Sequence, residues 1–411
     1  MIGRQLRHYQ IEAKLGQGGM GVVYRALDTH LDRPVAIKVL EADAVSNPER
    51  KKRFVMEAKA ASALNHPNIV HVYDIDMADG VNFIAMEYVA GKTLDELTGR
   101  LVFASVSDRT DIWSLPLDAN QGIVTGEPQR LTQDAADDVC PSASADGKKV
   151  AFISYRSGQR DVWIKDLETG KESSLTMSPA AEYYPTMSAD GSKVAYQLEE
   201  KQKQTIWVAP LRGGMAQNAC QDCGRPWHWS SNGQVLLYST ASPGGGPSGI
   251  ASLDAGSGEK RDLLTHSGYG LYQSFFSADD RWICFLARLG PNRSRLFIAP
   301  YRTETPARES DWIAVTDGGS ADDKPRWSPD GNLLYFMSRR DGSNCLWAQR
   351  LDHHSKRPAG PAKPVFHFHG ARLAPGNVHN REFELSITNN RVVLPLGEVT
   401  GNIWMADLGG R

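Results

Sequence analysis

The chain has 411 residues, of which 41% are hydrophobic and 23% charged, with a formal net charge of −2. That length is too great for one ordinary core and accommodates two or three domains, and the charge balance excludes a nucleic-acid binder driven by bulk charge. Five cysteines, a sparse and odd set, argue against a disulfide scaffold. The polar start Met1–Tyr9 has no apolar core of a signal peptide, and no run of 18 apolar residues offers a membrane span. These features lead to the expectation of a soluble cytoplasmic protein without a nucleic-acid partner.

In chain order, the first element is a glycine-rich hairpin. Leu15, Gly16, Gln17, Gly18, Gly19, Met20 and Gly21 place Gly16, Gly18 and Gly21 in G-x-G-x-x-G spacing. That spacing also suits a dinucleotide site, but there a helix follows directly. Here the chain continues Val22-Val23-Tyr24-Arg25-Ala26, a strand pattern. A strand ending in lysine comes next, Val35-Ala36-Ile37-Lys38. Ser46 and Glu49 then form a capping box that starts a helix, with Phe54, Ala58 and Ala61 on one face and Glu57 inside it. His66-Pro67 ends that helix, and Phe83–Val89 reads as a buried strand running into a linker.

In order and spacing these motifs resemble the N-terminal lobe of bacterial eukaryotic-like serine/threonine protein kinases. The resemblance implies an antiparallel sheet plus one helix that binds ATP. The glycine hairpin, from Leu15 to Gly21, would cover the phosphates, because small residues let backbone N–H groups approach anionic oxygens. Lys38 would pair with the α- and β-phosphates, and Glu57 would hold Lys38 in place. Val23 and Ala36 would cover adenine, Met86 would be the gatekeeper, and Glu87 to Val89 would be the hinge that bonds its edge. Gly91–Leu97 would lead into the large lobe.

After residue 100 the helix signal fades. Short β-branched and aromatic runs alternate with Gly, Asp, Ser and Pro clusters, as in an all-β fold. Tight-turn pairs recur every 42 to 51 residues, at Asp146-Gly147, Asp190-Gly191, Asn232-Gly233, Asp279-Asp280 and Asp330-Gly331. An apolar or aromatic pair follows each, its second residue 17 or 18 positions after the turn: Val162-Trp163, Ile206-Trp207, Gly249-Ile250, Leu296-Phe297 and Leu346-Trp347. Ile112-Trp113 and Ile403-Trp404 extend the series at its ends, so seven anchors imply six or seven blades. Segments such as Ser144–Phe152 and Pro325–Gly331 resemble the WD-repeat-like repeats of TolB-type β-propellers. The division expected is 1–100, a kinase-like lobe, and 101–411, a propeller. The turn belonging to Trp113 should fall near Glu96, inside the kinase-like segment, so the first blade is expected to lack a strand and the propeller to be incomplete.

The sequence contains no His-Arg-Asp, Asp-Phe-Gly or Ala-Pro-Glu. The family's catalytic-loop aspartate and its magnesium-holding Asp and Asn therefore have no counterpart, and no catalytic residue is assigned. The reading is a pseudokinase: ATP bound weakly, Mg²⁺ held only if a large lobe is supplied, and a protein or peptide partner at the propeller. The alternative is a serine/threonine protein kinase whose large lobe comes from elsewhere, or of which this chain is a fragment. No metal site is assigned. Cys220 and Cys223 with His228 lack further ligands at suitable spacing, and His367, His369 and His379 read as packed or solvated. Trp227, Trp229 and Trp327 read as packing residues, and Pro243–Gly249 as a loop.

Overall fold

A computed structural model describes residues 1–18, 21–39, 70–78, 80–91, 99–200, 203–240, 248–369 and 373–408. The chain divides into two compact units, 1–102 with 405–411, and 103–404. The expected helix at Ser46–Ala61 and the segment Lys92–Leu97 lie outside the described residues, as does most of the loop 243–249. Among the described residues no helix is long and apolar enough to cross a membrane.

The first unit is a six-stranded antiparallel sheet. Its strands are β1 (Gln5–Leu6), β2 (Tyr9–Gly18), β3 (Gly21–Asp28), β4 (Arg33–Val39), β5 (Val72–Ala78) and β6 (Val81–Glu87), ordered β1-β2-β3-β4-β6-β5. Side chains alternate between the two faces of a strand. One face gathers Ile11, Ala26, Val35, Ile37, Phe83 and Ala85 into the core. At the β3–β4 turn the buried Asp28 carboxylate accepts hydrogen bonds from the N–H groups of His30 and Leu31, at 3.0 and 3.2 Å. This carboxylate takes the place of a backbone partner that the turn cannot provide.

The second unit consists of four-stranded antiparallel sheets spanning 138–174, 181–221, 223–264, 271–314 and 323–366, here blades 1 to 5, and a sixth sheet. The sixth sheet corrects the expectation of a missing strand. It combines β7 (Gly99–Asp118) with the C-terminal strand Arg391–Leu408 and the short strand Ser386–Ile387. Strands from the two ends of the unit thus make one blade, and the anchors Ile112-Trp113 and Ile403-Trp404 belong to this one sheet. Seven anchors therefore make six blades among the described residues. Apolar clusters seal both sides of the closing blade. Leu115, Leu117, Val392 and Leu394 pack with Leu333 and Tyr335 of blade 5, and Ile112 and Val393 pack with Val150 and Phe152 of blade 1. Burying a side chain of this kind stabilises by roughly 1.5–3 kcal/mol.

The repeat has a physical cause in its turns. In each blade a hydroxyl between the first and second strands binds the side chain two residues on. The pairs are Ser144–Asp146, Ser188–Asp190, Ser277–Asp279 and Ser328–Asp330 at 2.6 Å, and Ser230–Asn232 at 2.7 Å. The closing blade uses Thr388–Asn390 at 3.3 Å, and this is the turn expected near Glu96. In blades 1 to 5 the next position has positive φ, which Gly147 (71°) adopts without a Cβ penalty and Asp280 (54°) adopts despite one. Pairing also shifts one anchor. Ile250, opposite Ser239, occupies the place of Val162 opposite Ile153, so the blade 3 anchor is Ile250-Ala251 rather than Gly249-Ile250.

Candidate functional sites

In the first unit the register assembles a single face. Val23 lies opposite Lys38, Lys38 opposite Ile84, and Ala36 opposite both Arg25 and Met86. Paired residues share a face, so Val23, Ala36, Lys38, Ile84 and Met86 all lie on the side opposite the Ile37 core. Ala36 is buried, while Val23, Lys38 and Met86 are half-buried. The glycine hairpin borders this face: Gly16 pairs with Val23, Gln17 with Val22, and Gly18 with Gly21. Gly21 sits at φ 128°, a conformation that side chains rarely adopt, and a Cβ at Gly16 would meet nothing within 4 Å. The hairpin is thus open-sided at Gly16, as close approach of backbone to a ligand requires. Leu15 is exposed and Lys14 donates to the Gln17 side chain at 2.7 Å.

At the end of β6, Glu87 is tied down twice. Its N–H donates to the His71 carbonyl at 2.8 Å, and its carboxylate accepts from the His71 N–H at 3.2 Å. Val89, beyond it, is exposed. The Arg25 guanidinium lies 5.3 Å from the centre of the Tyr88 ring, a contact that the sequence reading did not foresee. Gly19, Met20 and Glu57 lie outside the described residues, and with them the expected Lys38–Glu57 pair.

The second unit contains a cavity of about 350 Å³ lined by the innermost strands of several blades. These strands are bulged, with register shifts between Val139 and Ser142, Tyr183 and Thr186, Tyr272 and Phe275, and Asp323 and Arg326. At the bulges Cys140, Tyr184, Gln273 and Lys324 hold φ between 53° and 57°. A bulge re-aims side chains, and here it recurs at equivalent positions. Glu384, on the approach to the closing blade, is buried and accepts from Arg225, from Lys324 at 3.2 Å and from Arg326 at 2.5 Å. Burial would raise its carboxyl, but Arg225, Lys324 and Arg326 outweigh that and hold it well below the ordinary range. Arg225 also stacks on Tyr184 and Trp227, and Arg326 on Phe275. Burial and then Arg326 lower His228 to about 4, so the ring is neutral at pH 7, with Nδ1 accepting from the Phe276 N–H at 3.3 Å. Burial raises the Cys140 thiol to about 12, which makes it inert.

The sequence reading set His228 beside Cys220 and Cys223. Those two cysteines form a disulfide with Cα atoms 5.8 Å apart, a pairing that the sequence reading did not assign. The tryptophans do pack. Trp229 donates to the Thr186 carbonyl at 2.9 Å and Trp327 to the Phe275 carbonyl at 3.0 Å, each reaching the preceding blade. Trp227 donates to Ser239 Oγ at 2.6 Å.

Known proteins resemble both units. A protein kinase domain model matches residues 9–116, and a TolB beta propeller domain model matches residues 125–357. The serine/threonine-protein kinase pkn3 of Myxococcus xanthus is 48% identical over 101 residues, which are 24% of this chain and 18% of that protein. The serine/threonine-protein kinase PrkC of Bacillus subtilis is 48% identical over 97 residues, 23% of this chain and 15% of that one. The chain thus spans less than a fifth of the length of these curated relatives. A solved structure described as a TolB of Agrobacterium tumefaciens superposes with a TM-score of 0.50 at 20% identity, covering 63% of this chain and 89% of that one, a likeness of fold.

Proposed function

Because the chain belongs to the TolB beta propeller domain family and carries the N-terminal lobe of a bacterial serine/threonine kinase ahead of its blades, we propose that it is a non-catalytic pseudokinase which binds a protein or peptide through the propeller. The observation that carries this reading is that the sequence beyond the β6 strand and hinge contains no His-Arg-Asp, Asp-Phe-Gly or Ala-Pro-Glu, the motifs with which the family holds Mg²⁺ and accepts the hydroxyl proton. Phosphoryl transfer depends on those groups, since positioning and metal effects are each worth several kcal/mol of barrier. What remains is a half-site. Val23, Ala36 and Met86 offer one apolar wall to adenine, Lys38 offers a cation to phosphate, and Glu87 to Val89 offer a backbone edge. One wall buries one face of the base, so ATP binds weakly.

The propeller's part in this reading rests on the cavity beside Arg225, Lys324 and Arg326. Three cations around one carboxylate, Lys324 and Arg326 buried and Arg225 half-buried, favour a partner segment that brings an acidic side chain or chain terminus.

A second reading has its own support, since the relatives at 48% identity are named serine/threonine-protein kinases and are of much greater length. In it, this lobe completes a kinase whose large lobe lies on another polypeptide, and ATP with Mg²⁺ would then be the true cofactors.

Nucleotide titration followed by thermal unfolding separates the two. The pseudokinase reading predicts little change in the unfolding midpoint with ATP, with or without Mg²⁺, because stabilisation grows only once ligand exceeds its dissociation constant. A large Mg²⁺-dependent shift that disappears in Lys38→Ala contradicts it.

A further inference from the structure

A second cluster of chemically capable side chains lies at one corner of blade 5, apart from the cavity. Asp341 sits in the turn after the strand Leu333–Ser338, and Cys345 begins the strand Cys345–Arg350. His367 and His369 follow directly on the outermost strand Lys363–Phe366. The four come from three segments, with one ligand-type atom from each lying within 4.8 Å of the others.

Their arrangement converges. His367 Nδ1 lies 2.8 Å and His369 Nε2 3.4 Å from the same oxygen, Asp341 Oδ2. The two imidazole rings are 4.8 Å apart. The Cys345 sulfur is buried and not in a disulfide, and it accepts from the Phe368 N–H at 3.4 Å. That hydrogen bond ties the sulfur to the residue between the two histidines. An amide N–H donated to a ligand sulfur is the kind of outer contact that fixes a ligand before metal arrives.

We propose that Asp341, Cys345, His367 and His369 form a metal site for a borderline divalent cation, zinc in chemical class. One thiolate, two imidazoles and one carboxylate are the donor types zinc accepts, and four protein donors make a closed, structural site. A tetrahedron with Zn–N of about 2.0–2.1 Å and Zn–S of about 2.3 Å has edges of roughly 3.3–3.8 Å. The histidine side chains are 45% and 56% exposed and can rotate inward by the small amount this requires. Bound metal would join the turn at Asp341 to the outer strand of the same blade. Sequence spacing concealed this site, because Asp341 and Cys345 precede the histidines by more than 20 residues.

The test uses the purified full chain, stripped with a chelator and titrated with Co²⁺. One equivalent should bind and give thiolate-to-cobalt charge-transfer absorption, and Zn²⁺ should displace it. Cys345→Ser should abolish that absorption. His369→Ala, an exposed position that leaves the core intact, should weaken binding at least as much as loss of an outer-shell partner does, by ~10–100-fold or more. Zn²⁺ should raise the unfolding midpoint of the parent chain and not of His369→Ala. The proposal is overturned if cobalt fails to saturate a site. It is equally overturned if binding survives unchanged in His369→Ala, which would assign the metal elsewhere, for example to His353 and His354.

Discussion

The two units are built on different principles. In the propeller each blade repeats the same turn, so strands from the two ends of the unit can share one blade: the strand Arg391–Leu408, entered through the Thr388–Asn390 turn, completes the sheet of β7. In the kinase-like unit every group has a single role. Lys38 can be placed beside Val23 and Ile84 by sheet register alone, but no repeat supplies a catalytic aspartate. A core built from equivalent parts tolerates rearrangement, whereas a reaction centre built from unique residues does not.

The sharpest way to break this comparison is in the cavity, where one propeller residue is unique. Glu384 is the carboxylate shared by Arg225, Lys324 and Arg326. Glu384→Ala leaves buried cations unpaired and should cost about 3–5 kcal/mol in denaturant unfolding of the propeller. A cost below about 1 kcal/mol would mean that water or ions already screen the cluster.

The next effect depends on pH. Glu182 is buried, and burial raises its carboxyl from 4.5 to about 7. A folded-state value above the unfolded one favours the protonated native form. The contribution is full below pH 4.5 and is lost as pH rises through 7. Glu182→Gln mimics the protonated group, so it should stabilise by about 2–3 kcal/mol at pH 8 and by nothing at pH 4. His228 has the opposite sign. Its folded value, about 4, lies below the ordinary 6.5, so its contribution is present above pH 6.5 and is lost as pH falls towards 4. The unfolding midpoint of Glu182→Gln should therefore decline only on the acid side.

The smallest effect sharpens the comparison among blades. Ser144→Ala removes the 2.6 Å bond to Asp146 and an acceptor for the Lys149 N–H at 3.1 Å, and should cost ~1 kcal/mol. Thr388→Val, whose bond to Asn390 is 3.3 Å, should cost about half as much. Equal costs would show that the closing turn is as tightly built as the others.

Much of this was legible in the sequence where local chemistry dictates geometry. The glycines at 16, 18 and 21, the strand ending at Lys38 and the Asp-Gly turns each impose a backbone shape, and the structure has those hairpins. Features that depend on distant pairing were hidden. Thr388-Asn389-Asn390 has no glycine to mark it as a blade turn, so the closing strand was missed. Positive φ at Cys140, Tyr184, Gln273 and Lys324 follows from the bulge and not from residue type. The Cys220–Cys223 disulfide and the grouping of Asp341 with His367 arise only when strands align. Glu384 and its three cations are scattered over 160 positions and meet only inside the ring of blades.

The central proposal is that the kinase-like lobe of this chain has no means of turnover. It is tested most directly by incubating the purified full chain with radiolabelled ATP, Mg²⁺ and a generic protein acceptor, beside Lys38→Ala. The account predicts equal, background incorporation in both. Label transferred by the parent chain and lost in Lys38→Ala would contradict it.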